Sequence, residues 1–562
     1  MDATRIMKNT HPAIVVLLTT LVSFSANAAD ETILFTGGSI LTVDEDFTAA
    51  EAMAIRGSEI LYAGAADVAR DMAGSDARVI DLEGRVILPG FIDAHVHPVL
   101  GSAGSVFENV GLDRFRDVES ALDLMRAHAN RPGEWLLFVH LDLATQSFAE
   151  KTLTRNHLDK ISSDRPVVVW HAGGHKMTVN SVMLERIGVN AETPDPPGAE
   201  YGRFADGSPD GNIAGSAALY RAISAIEPFM IFDRRAGTAQ LARDWNGRGV
   251  TTVGIAGVTS PSDWEVVVDL SRRDDFHLRT RSYLQWGGLV QWDAKRIEPG
   301  QGDARARIIG WKISVDGSNQ ALTGLQREPY LDTDNRGLPY LTPTEIDHAI
   351  TSGNSRGGQM AMHGNGDAGI DNIIAAVERA REAGIELTRP RIEHCSIVQD
   401  DQLADLKRLG ISCSFLIAHV LYWGEAFRDR VFGPEKAALL DRTGSFERAG
   451  IPWSLHSDYS VSDLSPLQMI EVAVTRRLFT DTDYILAPDE RASLEAAVRG
   501  VTSVPAWQLM SDHEIGSLEP GKLADFVVLA ADPRDVETDR IGEIEVLETW
   551  VGGKRIFPVD EP

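Results

Sequence analysis

VILPGFIDAHVHP, residues 86–98, is strongly apolar until it ends on two histidines one residue apart. In a strand, alternate side chains face the same side, so Asp93, His95 and His97 line one face. Two neutral imidazoles held a strand period apart can grip one metal ion. An HxH pair alone is equally compatible with two hydrogen-bonded core histidines, and the rest of the chain has to decide between these readings.

Working outward, GFIDAHVH (90–97) is the first of eight segments of strand character. The others are GVTTVGI (249–255), LRTRSYLQ (278–285), ARIIGWKISV (306–315), GQMAMHG (358–364), RPRIEHC (389–395), GISCSFL (410–416) and IPWSLHSD (451–458). Helical periodicity fills several intervals, as in GIDNIIAAVERAREAG (369–384) and DQLADLKRLG (401–410). Eight such alternations predict an α/β fold of the (β/α)8 TIM-barrel type over residues 88–505. The stretch 101–248, between the first two strands, is too long for a loop and carries strand-like pieces of its own, EWLLFVHLD and RPVVVWHAG, so it is expected to be an inserted subdomain. Short strands with Gly and Asp turns occupy residues 29–87 and again 506–562. They predict one small β-sandwich domain assembled from both termini.

The N-terminus carries Arg5 and Lys8, then the apolar run AIVVLLTTLVSFSA, then ANA ending at Ala28. This is the pattern of a cleaved export signal over residues 1–28, and the run is short of the roughly 20 residues that span a bilayer. A periplasmic or secreted protein without a stable membrane anchor is the expectation. The formal charge of −28 disfavours nucleic acid and anionic membranes as partners, since those attract Lys and Arg. Cys395 and Cys413 are the chain's two cysteines; they could pair in an oxidising compartment or stay as buried thiols.

The predicted barrel concentrates unusual residues at its C-terminal rim, where enzymes of this fold place their chemistry. Lys312 interrupts the fourth strand on the face shared with Ile308 and Gly310. An inward ammonium there calls for a salt bridge to a neighbouring strand or for carboxylation by CO2, which would turn it into an anionic carbamate able to bridge two metals. His363, His394 and Asp458 close the fifth, sixth and eighth strands. With His95, His97 and Lys312 they make six candidate metal ligands at the ends of five strands, a coincidence that favours the metal reading.

LPGFIDAHVHP, GGHKMTVNS, GVTTVGIAG, WKISVDGSNQA, AMHGNGDAGID, RIEHCSI, SLHSDYSVSDLSP, VTSVPAW and GSLEPGKLADFVVL together resemble the amidohydrolase superfamily, in its family 3 branch, which includes N-substituted formamide deformylase-like enzymes. The resemblance covers nearly all of the chain after the signal, in order. It implies two divalent ions, zinc by preference for His and oxygen ligands, with manganese, iron or cobalt as alternatives. Carried onto this chain, His95 and His97 hold the more buried ion, His363 and His394 the more exposed one, carboxylated Lys312 bridges both, and Asp458 completes the first. Two departures stand out: Gly173 and Gly174 precede His175 where the family usually has an aspartate, and FLIAH replaces the family's Gln-Pro-x-His.

The expected reaction is hydrolysis of a C–N bond in a small molecule, in an N-acyl, N-formyl or cyclic amide. Asp458 is expected to move the proton from the attacking water to the leaving amine. His175 is the second catalytic candidate, placed to hold the carbonyl oxygen. Asn180, His419, Trp286 and Trp423 are weaker candidates for substrate contact, and His456 for a deeper one; backbone capping is the alternative for Asn180 and loop packing for the tryptophans. Alternative activities are an esterase, a lactonase or a deaminase on the same binuclear site. A non-catalytic exported binding protein would keep the barrel and has no need for all six ligands. Barrels of this kind often pair, so a homodimer stays open as a partner.

Overall fold

The computed structural model describes residues 31–150 and 152–559, so the expected signal at residues 1–28 lies outside the described residues. Every residue from Val86 to Val96 is buried. Within that run Val86–Pro89 is a strand of one sheet and Phe91–Val96 a strand of another. Gly90 makes the passage: a Cβ there would stand 2.4 Å from the Thr251 side chain of the neighbouring strand.

All eight expected barrel segments are strands: β1 (Phe91–Val96), β2 (Val250–Val258), β3 (Arg279–Gln285), β4 (Ala306–Ser314), β5 (Gln359–Gly364), β6 (Arg391–His394), β7 (Ser412–Phe415) and β8 (Trp453–Leu455). They form one parallel sheet in chain order. The barrel is nearly closed just past β8, where the His97 N–H donates to Tyr459 O (2.8 Å) and the Asp458 N–H to His95 O (3.1 Å). Asp93 tightens this seam by accepting from the Ser457 N–H (3.0 Å) and Oγ–H (2.6 Å).

The helices wrapping the sheet follow from local signals. α1 (Pro343–Ser355) opens on a Thr342–Glu345 capping box with Pro343 at its first position. α2 (Asp367–Glu382) sets Ile370, Ile373, Ile374 and Val377 at helical spacing and buries them. α3 (Asp400–Leu409) carries Asp400 and Asp401 at its start, Lys407 and Arg408 at its end, and stops at Gly410 with φ +65°.

The stretch between β1 and β2 contains a six-stranded sheet of its own, ordered Glu200–Arg203, Pro209–Ala214, Lys176–Val179, Val167–His171, Leu136–Leu141, Glu108–Asn109. It has apolar clusters on both sides, one around Val168, Met177 and Ile213, the other around Val118, Leu122 and Val169. The chain ends meet in a second six-stranded sheet, where Val86–Pro89 pairs in parallel with Ser39–Leu41 and antiparallel with Phe526–Leu529. Phe35, Ile55, Ile87, Phe526 and Trp550 share one core there, with Phe526 stacked on Trp550 at 5.2 Å. Cys395 and Cys413, on neighbouring strand ends of the barrel, form a disulfide.

Candidate metal centre

Three donor atoms converge at the junction of β1 with the segment after β8. His95 Nε2 lies 3.2 Å from His97 Nε2, and Asp458 Oδ1 is 3.3 Å from the first and 3.2 Å from the second. The tautomer of His95 is fixed from behind: its Nδ1–H donates to Glu393 Oε2 at 2.7 Å, which leaves Nε2 as the lone-pair nitrogen. Such a carboxylate–histidine pair orients a metal ligand. Burial depresses the pKa of His97, which keeps that imidazole neutral. Burial pushes the Asp458 carboxyl up, but His95, His97 and His394 around it hold it well below the usual carboxylate range.

Glu393 belongs to a fully buried polar layer beneath this triad. Arg391 pairs with it at 2.7 Å and also donates to Ala94 O (3.2 Å) and Tyr283 Oη (3.4 Å). Tyr283 in turn donates to Gln359 Oε1 (2.6 Å). Every charge in the layer is compensated, which is what such burial requires. His456 stacks on His95 with centroids 4.7 Å apart, and its Nε2–H donates to Ser414 O (3.2 Å).

The other expected ligands gather beside the triad. The His394 ring lies 5.0 Å from that of His95 and 4.5 Å from that of His363. His394 Nδ1 is buried, has no hydrogen-bond partner among the described residues, and lies 3.9 Å from Asp458 Oδ2. Burial pushes both imidazoles well below their ordinary pKa. His363 Nε2–H donates to Gly317 O (3.1 Å), leaving Nδ1 as its lone-pair nitrogen. Lys312 is 3% exposed and makes no ion pair among the described residues, so the salt bridge considered for it is not formed. Burial lowers its pKa to about 8 against the opposing pull of Glu393 and Asp458. An orphaned imidazole nitrogen and an ionised carboxylate beside two further imidazoles make a donor set that suits divalent cations.

Backbone strain marks the same place. His394 has φ +71° and Asp458 φ +51°, in the left-handed region that costs a non-glycine residue about 1 kcal/mol or more.

The remaining candidates fall on both sides of the expectation. His175 is brought to the centre, its ring 5.0 Å from His363 and its Nδ1 3.1 Å from Tyr340 Oη; burial lowers its pKa to about 4. Gly173, ahead of it, leaves no room for an aspartate, because a Cβ would stand 2.6 Å from Ser318 Oγ; Gly174 adopts φ +73°. For Asn180 the capping alternative holds. Its Oδ1 accepts from the Met183 and Val167 N–H groups (3.1 and 3.0 Å), and its Nδ2 donates to Ser162 O and Arg165 O, so nothing is left for substrate. Trp286 packs edge-on to Trp311 at 5.5 Å, as loop packing predicts. His419 is 1% exposed and donates to Ser396 Oγ (3.2 Å), which donates to Asn365 Oδ1 (2.6 Å); this is a structural chain behind His363. Trp423, with Tyr422 and Tyr459, lines a cavity of about 360 Å3 beside the segment that follows Asp458, and its indole N–H donates to Asp142.

Sequence reasoning missed Glu393, Arg391 and Asp316. For the first two, charges alternate inside the strand RIEH, a pattern that an internal ion pair and two solvent-facing charges fit equally. Asp316 accepts from the Asn365, Gly366 and Leu325 N–H groups (3.0, 2.8 and 2.9 Å) and so fixes the loop behind His363.

The chain is 29% identical over 543 residues to Protein LONG AFTER FAR-RED 3 of Arabidopsis thaliana, covering 94% of this chain and 91% of that one. It is 27% identical over 538 residues to the N-substituted formamide deformylase of Arthrobacter pascens, covering 93% and 97%. In fold it resembles an uncharacterized metal-dependent hydrolase from Pyrococcus furiosus, with TM-score 0.67, 24% identity and coverage of 89% and 99%. The amidohydrolase family model matches residues 78–557, and over that span the chain belongs to the amidohydrolase family.

Proposed function

We propose that this chain is an exported amidohydrolase that cleaves a C–N bond of a small amide at a pair of divalent metal ions, zinc by preference. The carrying observation is the convergence of His95 Nε2, His97 Nε2 and Asp458 Oδ1 within 3.3 Å, with Glu393 fixing the first of them. His95, His97 and Asp458 would hold one ion and His363 and His394 the second. Lys312 would join them as a carbamate, formed when its buried free amine adds to CO2 and releases a proton. When bound, the ions supply Lewis acidity toward water and the scissile carbonyl.

The chain's own groups do the rest. The Asp458 carboxylate takes the proton of the attacking water and passes it to the departing amine. His175, neutral and with Tyr340 donating to its Nδ1, presents Nε2–H to the carbonyl oxygen. The Glu393–Arg391 layer keeps His95 in one tautomer throughout.

The test is metal content of the mature protein, purified without chelator or polyhistidine resin and supplied with zinc and bicarbonate. About two zinc ions per chain, falling when Lys312 is replaced by alanine, is the expected result. A chain that retains no zinc overturns the reading. Matched amide and ester substrates then separate amide hydrolysis from ester cleavage.

A further inference from the structure

His140 is the last residue but one of the strand Leu136–Leu141 in the inserted sheet, and its backbone is left-handed, φ +69°. The pairing with the next strand slips at that point. Val139 stands opposite Trp170 and Leu141 opposite His171, so His140 is skipped. An extra residue of this kind re-aims a side chain out of the sheet. Gly111 makes room for it, because a Cβ there would stand 2.9 Å from His140 Cβ.

The freed side chain crosses to the barrel. His140 Nε2–H donates to Ser460 O at 3.0 Å, and among the described residues Ser460 has no other hydrogen-bond partner. The peptide unit between Ser460 and Val461 is thereby held at both ends: its carbonyl accepts from His140, and its N–H donates to Asp458 O at 2.7 Å. Two hydrogen bonds on one peptide polarise each other.

Asp458 needs such a hold. Its φ of +51° is a strained conformation, which persists only where the surroundings over-determine it. From the barrel side, the Asp458 N–H donates to His95 O and the His97 N–H to Tyr459 O. From the opposite side, among the described residues, the strands of the inserted sheet send one hydrogen bond to residues 457–463, that of His140. We propose that His140 is a positioning residue for Asp458: through one imidazole the inserted subdomain fixes the turn Asp458–Val461, and with it the carboxylate that completes the metal site. The inference rests on the amidohydrolase reading above for the role of Asp458, and it adds to the centre a residue from outside the barrel.

Two amide substitutions at this half-buried position separate the hydrogen bond from the ring. Asparagine tolerates left-handed backbone but is too short to reach Ser460 O, whereas glutamine carries its amide nitrogen about as far out as Nε2. In His140→Asn the Val461 amide should exchange with deuterium about fivefold or more faster. The zinc-loaded protein should also lose zinc to a competing chelator at about tenfold lower concentration. His140→Gln should restore both. Gly111→Ala pushes the ring from outside and should speed the same amide, which keeps the test valid if His140→Asn folds poorly. A Val461 amide unmoved in both His140→Asn and Gly111→Ala overturns the inference. So does a glutamine variant as impaired as the asparagine one, which would make ring packing the cause, and so does faster exchange with zinc affinity unmoved. If the unaltered protein holds no zinc, the hydrolase reading falls and exchange alone decides: faster in His140→Asn and restored in His140→Gln supports the hold on Asp458, and unchanged exchange overturns it.

Discussion

Glu393 is fully buried and is charge-balanced by Arg391 on one side and the His95 imidazole on the other. Replacing it by glutamine keeps the volume but loses the charge that holds Nδ1–H, so Glu393→Gln should weaken zinc binding about 10- to 100-fold in competition with a chelator. Asp458→Asn removes the proton carrier as well as an anionic ligand. Its kcat on any responsive amide should fall by about 10²-fold or more with KM moved far less, measured on protein reloaded with metal. Of the six candidate ligands, His97, His363, His394 and Asp458 stood out as polar residues closing apolar strands, and His95 and Lys312 as polar residues interrupting them. Glu393 was not, since nothing in RIEH tells an inward ion pair from two solvent-facing charges until β6 is known to be central. Asn180 was ambiguous for a different reason: one residue after a strand and one before a helix, it fits a cap and a contact equally until its four partners are seen.

β6 shows how an element departs from its own periodicity to build the centre. Arg391 and Glu393 point into the barrel, and Ile392 packs in the outer apolar layer with Ile370 and Ile373 of α2. Strict alternation would send His394 outward after Ile392. Its left-handed backbone breaks the alternation and turns the imidazole toward His363 and His95. The next residue, Cys395, is tied to Cys413 of β7, so the strand end that carries this turn is covalently fastened to its neighbour. The bridge closes a segment of 18 residues, for which chain entropy gives about 3 kcal/mol. A Cys395→Ala, Cys413→Ala double variant should lose about that much in urea unfolding, and the unaltered protein should show no free thiol under denaturing conditions. An unmoved midpoint would mean that the bridge adds nothing to stability. Strand positions were legible from apolar runs and Gly punctuation; the turn at His394 was not, because left-handed backbone at a non-glycine residue leaves no mark in composition.

Over the whole molecule, the barrel is held to the sheet of the two termini by continuous chain and by charge. The run 86–96 belongs to both, and Arg279 of β3 pairs with Asp525 at 2.6 Å, with side chains 9% and 2% exposed. A chain truncated after Asp525 loses Phe526–Leu529, the strand that covers Val86–Pro89 on one edge. It should retain little zinc and show a broad unfolding transition by circular dichroism, whereas the intact chain retains its metal and unfolds sharply. That both ends are strand-rich was legible; which strand pairs with which was not, because pairing between the first hundred residues and the last forty depends on register, and register is a tertiary property. This pairing also sets an order in time. On the ribosome, Val86–Pro89 and the HxH strand that continues it emerge before the rest of the barrel, and Phe526–Leu529 only after all of it. The candidate metal ligands on that strand are therefore made long before the strand that covers Val86–Pro89 on one edge exists, and the pairing can close only after the intervening barrel has been synthesised.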